Sequence, residues 1–241
     1  MSVREQFAGE SIWIGASDAI AGRLADAAAL REFGAPPRDD VVGSHSQQVL
    51  KRMLDLAIAI PALLLLLPLL AAIALWIALD SAGPVLFRQT RRGLGGRPFT
   101  IVKFRTMNVL ENGASVVQAT QDDPRVTRAG RSLRRASLDE LPQLLNVIRG
   151  EMSLVGPRPH ALAHDDYYVE RIEDYALRQQ VKPGITGWAQ VHGLRGETPT
   201  LDAMRQRVLL DVWYARNADL ALDLEILLRT PFEVLRQRNA H

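Results

Sequence analysis

Cysteine is absent from this chain of 241 residues. That absence excludes a disulfide scaffold, a cysteine-ligated zinc site and a cysteine nucleophile. Lysine is scarce as well, since the chain has 26 arginines and only 3 lysines. A guanidinium binds phosphate through two parallel hydrogen bonds, so this bias favours a phosphate-bearing ligand, although a GC-rich genome would produce the same bias. The hydrophobic fraction of 47% is typical of a globular protein with a real core.

Charge is missing from one long stretch of the chain. The 24 consecutive residues Leu56–Leu79 carry none, which predicts insertion into a membrane. One straight helix of that length would reach about 36 Å and could cross a hydrocarbon core of about 30 Å. Pro61 and Pro68 interrupt the run, however, and a break at Pro68 would leave two arms that are each too short to cross.

Basic residues flank this stretch on both sides. Lys51 and Arg52 precede it, and Arg88, Arg91 and other arginines follow it. The positive-inside tendency then favours both ends on the cytoplasmic side, so we predict a re-entrant helix–break–helix rather than a kinked spanning helix. Arg52 and Asp55 share a helix face and are predicted to form an ion pair where the chain meets the membrane.

The predicted fold is mostly α-helical with a small β-hairpin. Residues 1–48 read as an N-terminal extension and linker, 49–81 as the membrane hairpin, and 82–241 as a cytoplasmic α/β domain with amphipathic surface helices. The predicted strands are Val85–Gln89 and Pro98–Phe104, joined by a glycine-rich turn. The predicted helices are Leu138–Arg149, Ala161–Gln180, Leu201–Ala215 and Leu220–Gln237, the last broken near Pro231.

Two adjacent acids, Asp139 and Glu140, follow Ser137 in a pattern typical of a capping box. In that interpretation Ser137 caps a helix whose partial positive charge keeps Asp139 ionised. The acids also lie between arginine clusters that include Arg134 and Arg158. Acids that hold a metal beside arginines that hold phosphate would suit phosphoryl transfer, and a salt-bridged surface explains the same spacing.

Two other patterns indicate different chemistry. His160 and His164 have the i, i+4 spacing of metal ligands, but the glutamate of a metalloprotease motif is missing. The arginine run could contact nucleic acid, yet aromatic residues are not interleaved with it, so no nucleic-acid partner is expected.

Several long motifs coincide in this chain: GPVLFRQTRRG, FTIVKFRTM, SLRRASLDELPQLLNVIRGEMSLVGPRP and VKPGITGWAQVHG. Together they resemble the bacterial sugar transferase family, the monotopic phosphoglycosyl transferases, over roughly residues 50 to 240. The tail GLRGET is most similar to members that transfer glucose 1-phosphate. The resemblance implies transfer of a sugar 1-phosphate from a UDP-sugar to undecaprenyl phosphate with release of UMP, the first membrane step of exopolysaccharide synthesis.

The resemblance also implies roles for individual residues. Asp139 would attack the sugar-bearing phosphate, form a covalent phosphosugar intermediate and meet Mg²⁺, while Glu140 would assist by positioning or deprotonating the lipid phosphate. The loop KPGITGWAQVHG would help form the nucleotide-sugar pocket. The family's membrane break falls at Pro68, aided here by Pro61, because a leucine replaces its serine. The implied substrate-binding residues are Lys103, Arg105, Arg134, Arg158, Pro183, Gly184, Gln190, Arg195 and Asp211.

The expected location is the bacterial cytoplasmic membrane, with the catalytic domain facing the cytoplasm. The expected partners are the UDP-sugar, undecaprenyl phosphate, the lipid bilayer, a second copy of the chain and downstream glycosyltransferases. UDP-galactose or an N-acetylated UDP-sugar are alternative donors. Two other functions stay open: a non-catalytic membrane scaffold, and a membrane-anchored metal hydrolase that uses His160 and His164.

Overall fold

The computed structural model describes residues 45–108 and 123–236, so most of the predicted N-terminal extension lies outside the described residues. The helices are α1 His45–Asp80, α2 Arg128–Ala136, α3 Leu144–Arg149, α4 Leu162–Val169, α5 Trp188–Val191, α6 Leu201–Asn217 and α7 Leu220–Arg236. The strands are β1 Leu86–Arg92, β2 Pro98–Phe104, β3 Ser153–Val155 and β4 Gly184–Thr186. Short 3₁₀ helices span Leu94–Gly96, Leu138–Gln143 and Tyr175–Gln180.

Helix α1 is long and apolar enough to cross a membrane by length and composition. It has 36 residues and stays helical through both Pro61 and Pro68, so the predicted interruption at Pro68 is wrong at the level of secondary structure. Packing explains why the helix persists, since Leu66 and Leu70, on either side of Pro68, both contact buried clusters of the domain. Re-entry into a membrane stays a prediction.

One face of α1 lies against the rest of the protein. Ala59 packs in the main core cluster, and Ile73 and Ile77 pack in a second cluster with Phe104 and Leu133. The other face is exposed and leucine-rich: Leu64, Leu65, Leu75 and Leu79 are 61%, 81%, 62% and 78% exposed. The helix therefore combines a docked face with an apolar face that no described residue covers.

The start of α1 is attached to the domain by polar contacts. Arg52 donates to the carbonyls of Val147 and Ile148, at 2.6 and 2.7 Å, near the C-terminal end of α3. Asp55 accepts from the Ser153 hydroxyl and the Leu154 amide, both at 2.9 Å. The predicted Arg52–Asp55 ion pair is wrong, because the unpaired carbonyls of a helix end attract the guanidinium more directly than its neighbour does.

The predicted hairpin is confirmed. β1 pairs with β2 in antiparallel register from Leu86 opposite Phe104 to Arg92 opposite Pro98. The turn between them needs glycine, since Gly95 and Gly96 both have left-handed φ values of 63° and 73°.

A second, parallel pair of strands was not predicted. β3 pairs with β4, with Ser153 opposite Gly184 and Val155 opposite Thr186. Glycine is required here for close approach, because a Cβ on Gly184 would lie 2.1 Å from the Gly156 nitrogen. Pro183 accepts from the Ser153 amide at 2.9 Å. Pro183 and Gly184 thus hold the chain that leads into Arg158.

The later helices follow the sequence-based predictions in part. α6 and α7 are confirmed, although α7 continues through Pro231 instead of breaking there. The predicted helix Ala161–Gln180 is split into α4 and a 3₁₀ segment, with Asp174 in the left-handed region at φ 61° between them. A left-handed residue cannot continue a right-handed helix. The main core lies among α3, β3, α5, α6 and α7, where Trp188 stacks on Trp213.

Candidate active site

The acid pair lies in the 3₁₀ helix Leu138–Gln143, directly after the end of α2. Ser137 links the two helices with a left-handed φ of 56° and makes no side-chain cap. Its hydroxyl instead accepts from Arg195. The predicted capping box is therefore wrong: Glu140 does not reach back to Ser137 with its side chain but turns to two cations.

Glu140 is buried and bound by Lys103 from β2 and by Arg158 from the turn after β3. Lys103 Nζ lies 2.9 Å and Arg158 Nη2 lies 2.6 Å from the same oxygen, Oε1. Burial alone would raise the pKa of Glu140, but Arg158 and Lys103 hold that pKa well below its usual range. Glu140 is therefore a fixed negative charge that anchors two cations.

Asp139 is in a different position. Its carboxylate has no hydrogen bond or ion pair to any residue that the structure describes. Burial raises the pKa of Asp139, and the charge of Glu140 raises it further, against the opposing effects of Lys103, Arg134 and Arg158. The expectation that a helix terminus lowers the pKa of Asp139 is wrong, since desolvation and the adjacent acid outweigh the terminus.

Three other predicted residues lie around the acids. Arg134 is on the last turn of α2, close enough for its charge to lower the pKa of Asp139. Arg195 contacts Ser137, and burial lowers the pKa of this arginine while the charge of Glu140 raises it. Gln190 is buried, and its Nε2 donates to the Ile185 carbonyl at 3.2 Å, while no described residue hydrogen-bonds to its Oε1.

A groove of about 300 Å³ opens beside Glu140. Its walls come from the 3₁₀ helix of the acids, the loop around β4 and α5, and helix α7. Gln190 and Arg195 line it together with Glu140, so the structure brings these three predicted residues to one space.

Arg105 is not brought to the acids. It is buried, and its guanidinium donates to the carbonyls of Ala82 and Ser81, at 2.5 and 2.6 Å, and to the Ser81 hydroxyl at 2.9 Å. These contacts stabilise the chain that leaves α1. The structure therefore gives Arg105 a structural position rather than a substrate-binding one.

Asp211 lies behind Arg158 in a buried polar network. It pairs with Arg178, whose Nη2 lies 2.8 Å from Asp211 and 2.6 Å from the Arg158 carbonyl. The same guanidinium lies 3.2 Å from His160 Nδ1, so it holds both sides of Pro159. Arg91 also donates to the Pro159 carbonyl, at 3.2 Å. Sequence analysis missed Arg178 and Arg91, because no local spacing connects them to Arg158.

The histidine pattern does not form a metal site. His160 is buried with its Nδ1 2.7 Å from the Tyr175 hydroxyl, which donates to Asp165. Burial lowers the pKa of His160 far below its ordinary value, and Arg178 lowers it further. No group of three acidic or histidine side chains within residues 45–108 and 123–236 could hold a metal.

Comparisons with known proteins identify the family of this chain. The family model described as bacterial sugar transferase matches residues 46–237. A UDP-glucose:undecaprenyl-phosphate glucose-1-phosphate transferase of Caulobacter vibrioides is 58% identical over 191 residues, which are 79% of this chain and 72% of that protein. A protein of the same name from Escherichia coli is 53% identical over 82% of this chain, but only 42% of its own length is matched.

A further relative carries a different sugar in its name. The UDP-N-acetylgalactosamine-undecaprenyl-phosphate N-acetylgalactosaminephosphotransferase of Aeromonas hydrophila is 43% identical over 75% of this chain and is matched over 42% of its length. The family match covers well over half of the chain and includes Lys103, the acid pair and Arg158. The chain therefore belongs to the bacterial sugar transferase family, a family of transferase enzymes.

Proposed function

We propose that this protein transfers glucose 1-phosphate from UDP-glucose to undecaprenyl phosphate and releases UMP. One observation carries the proposal: Asp139 is a carboxylate without a partner among the described residues, beside a fixed cluster of Glu140, Lys103 and Arg158. A nucleophile must be free to attack, while the developing charge on a transferred phosphoryl group needs positioned cations. The site combines both features.

The reaction then takes place in two displacements. An oxygen of Asp139 attacks the sugar-bearing phosphorus of UDP-glucose, and the bond from that phosphorus to the bridging oxygen breaks, so UMP leaves with the bridging oxygen. An oxygen of undecaprenyl phosphate next attacks the phosphorus of the acyl phosphate. The bond to Asp139 breaks, its carboxylate is restored, and a lipid-linked diphosphate sugar is formed. A lipid-linked diphosphate sugar belongs to the class of compounds that glycosyltransferases use as substrates.

Glu140 is suited to hold cations rather than to accept a proton. A general base works best with a pKa near the working pH. The pKa of Glu140 lies well below its usual range, and its Oε1 is occupied by Lys103 and Arg158. Glu140 thus positions Lys103 and Arg158 for phosphate oxygens, which replaces the expectation that it deprotonates the lipid phosphate.

Mg²⁺ fits this arrangement through Asp139. Mg²⁺ is commonly held by one or two carboxylates together with phosphate oxygens of the substrate. Asp139 has a carboxylate without a partner in the described part of the chain, whereas Glu140 is already paired. A bound Mg²⁺ would neutralise negative charge on the diphosphate.

The membrane arrangement that we propose is shallow insertion with both ends of α1 on the cytoplasmic side. Its support is the docked face of α1, which contacts the domain from Ala59 to Ile77. If α1 crossed the bilayer, the domain that packs along its docked face would be drawn into the hydrocarbon. The exposed face, with Leu65 81% exposed, would lie in one leaflet.

The chain has no cysteine, so single-cysteine labelling can test this topology directly. We expect Val49→Cys, near the start of α1, to be protected from a membrane-impermeant thiol reagent added on the periplasmic side of spheroplasts, because a helix that spanned the bilayer away from a cytoplasmic domain would place this end in the periplasm. Labelling of that variant from the periplasm would refute shallow insertion.

The choice of glucose follows the names of the more similar relatives, and N-acetylgalactosamine is the sugar in the name of the Aeromonas protein. The test is UMP release by the purified chain in nanodiscs with undecaprenyl phosphate, Mg²⁺ and one UDP-sugar at a time. We expect UDP-glucose to have the highest kcat/KM and Asp139→Asn to be inactive. Equal UMP release by the wild type and Asp139→Asn would refute the proposal.

A further inference from the structure

The groove beside the acids has walls that belong to two apolar surfaces. Leu138 and Leu141 come from the helix of the acid pair, and they also pack against the cluster that contains Ile73 and Ile77 of α1. The facing wall is the side of α7 that carries Leu227 and Val234. The groove therefore lies between the catalytic turn and a terminal amphipathic helix.

Helix α7 also has an exposed apolar stripe next to the groove. Leu228 and Phe232 are 72% and 66% exposed, and Leu224 continues the stripe one turn earlier. Residues one apart on a helix are separated by about 100°, so Leu228 lies beside Leu227 around the helix. The stripe and the groove thus lie on neighbouring sides of α7, and Leu224, Leu228 and Phe232 of the stripe do not line the groove.

We propose that this groove binds the first isoprene units of the acceptor lipid, with the lipid phosphate at the end lined by Glu140, the chain neighbour of Asp139. This inference rests on the proposed function. The groove is lined mainly by aliphatic side chains: Leu138, Leu141, Leu154, Ile185, Leu227 and Val234. A branched hydrocarbon chain gains from burial against such side chains and needs no hydrogen bonds.

A uridine is a poorer fit to the same walls. Among the described residues that line the groove, none has an aromatic ring to stack on a base, and aliphatic side chains dominate. Arg195 can meet the lipid phosphate at the acid end, since its guanidinium already contacts Ser137. Glu233 also lines the groove and would repel a phosphate, which favours the Arg195 side for the charged head.

The test compares variants of α7 in nanodiscs. Leu227→Gln and Val234→Gln place a polar amide in the groove, and Leu228→Gln is the matched control on the exposed stripe. We expect the KM for undecaprenyl phosphate to rise about tenfold in the two groove variants, because the polar amide removes apolar contact with the hydrocarbon chain. The KM for UDP-glucose should stay within about twofold of the wild type, and the preference for undecaprenyl phosphate over geranyl phosphate should shrink.

Three outcomes would overturn the proposal. A rise in the KM for UDP-glucose with an unchanged KM for the lipid would show that the groove binds the nucleotide sugar. Groove variants that behave like Leu228→Gln would show that it binds neither. Val234→Gln decides the matter if thermal unfolding shows that Leu227→Gln does not fold. A wild type that releases no UMP with any UDP-sugar would refute the proposed function itself.

Discussion

Two polar clusters meet at Arg158, and they differ in what they leave unpaired. The acid-pair cluster binds the Arg158 side chain through Glu140 and leaves Asp139 without a partner among the described residues. The Arg178 network binds the Arg158 carbonyl, and all three guanidinium nitrogens of Arg178 have partners. Arg158 is thus shared between a cluster with a carboxylate that no described residue pairs and a network whose guanidinium is fully paired.

This difference in pairing indicates that the acid-pair cluster is suited to react and that the Arg178 network is suited to support it. Burying an unpaired polar group is costly, so the carboxylate of Asp139 is suited to meet a ligand that supplies the missing partner. Every nitrogen of the Arg178 guanidinium has a hydrogen-bond partner, and its contacts to the Arg158 carbonyl and to His160 fix the turn Arg158–His160. We interpret the first cluster as the reacting site and the second as the structure that positions Arg158.

The largest effect should come from Asp139→Asn. Loss of the nucleophile should lower kcat for UMP release by at least about a thousandfold. The free energy of unfolding should not fall, because the variant removes a partly buried charge whose pKa is raised. Asp166→Asn is the control, since Asp166 pairs with Arg92 at the surface and should leave kcat unchanged. Enzyme assays and urea unfolding measure both quantities, and a destabilised Asp139→Asn would contradict the comparison.

The reverse pattern is expected for Arg178→Ala. Removing this guanidinium leaves Asp211 buried without its cation, which should lower the free energy of unfolding by about 3–5 kcal/mol. Arg205→Ala, at an exposed pair with Asp202, should lower it by about 1 kcal/mol or less. Urea unfolding of both variants tests the prediction. If Arg178→Ala had the same free energy of unfolding as Arg205→Ala, the network would not support the site.

Arg105→Ala sharpens the comparison for a residue that sequence analysis assigned to the substrate. It should lower the free energy of unfolding by about 1–3 kcal/mol, because the carbonyls of Ser81 and Ala82 lose their charged donor. The KM for UDP-glucose should not change in the fraction that folds. A selective rise in that KM, with normal stability, would return Arg105 to the substrate site.

The smallest effect should be a shift of the pH profile in Glu140→Gln, which accompanies the loss of kcat expected when Lys103 and Arg158 lose the carboxylate that they share. In the wild type, kcat should fall as pH drops through the pKa of Asp139, because the protonated carboxyl cannot attack. The charge of Glu140 raises that pKa, so its removal should move the acid limb to lower pH. A profile that loses its acid limb altogether would show that Glu140 is an essential base.

The sequence predicted the elements whose signals are local. The uncharged run in α1 and the glycine turn between β1 and β2 both follow from patterns within a few residues. The pair β3 and β4 escaped because strands of three residues are too short to show a period. Helix α1 stays helical through Pro68 because apolar packing on the domain offsets the loss of the backbone hydrogen bond that the proline removes.

Sequence analysis predicted several residues of the site but not the contacts between them. Ser137 and Glu140 matched a capping box, yet Lys103, 37 residues away in the chain, provided a stronger partner for Glu140. Arg178 reaches Asp211 across 33 residues of chain. Contacts of such separation leave no spacing to detect, so a reading of local patterns could find the acids but not what holds them.

The most direct test of the central claim is intact-protein mass spectrometry of the chain with UDP-glucose and Mg²⁺ in the absence of undecaprenyl phosphate. The account predicts an added mass of one glucose phosphate, located on the peptide that contains Asp139 and lost on addition of undecaprenyl phosphate. Asp139→Asn should show no addition. A wild type that never carries the adduct, and that releases UMP only when the lipid phosphate is present, would contradict attack by Asp139.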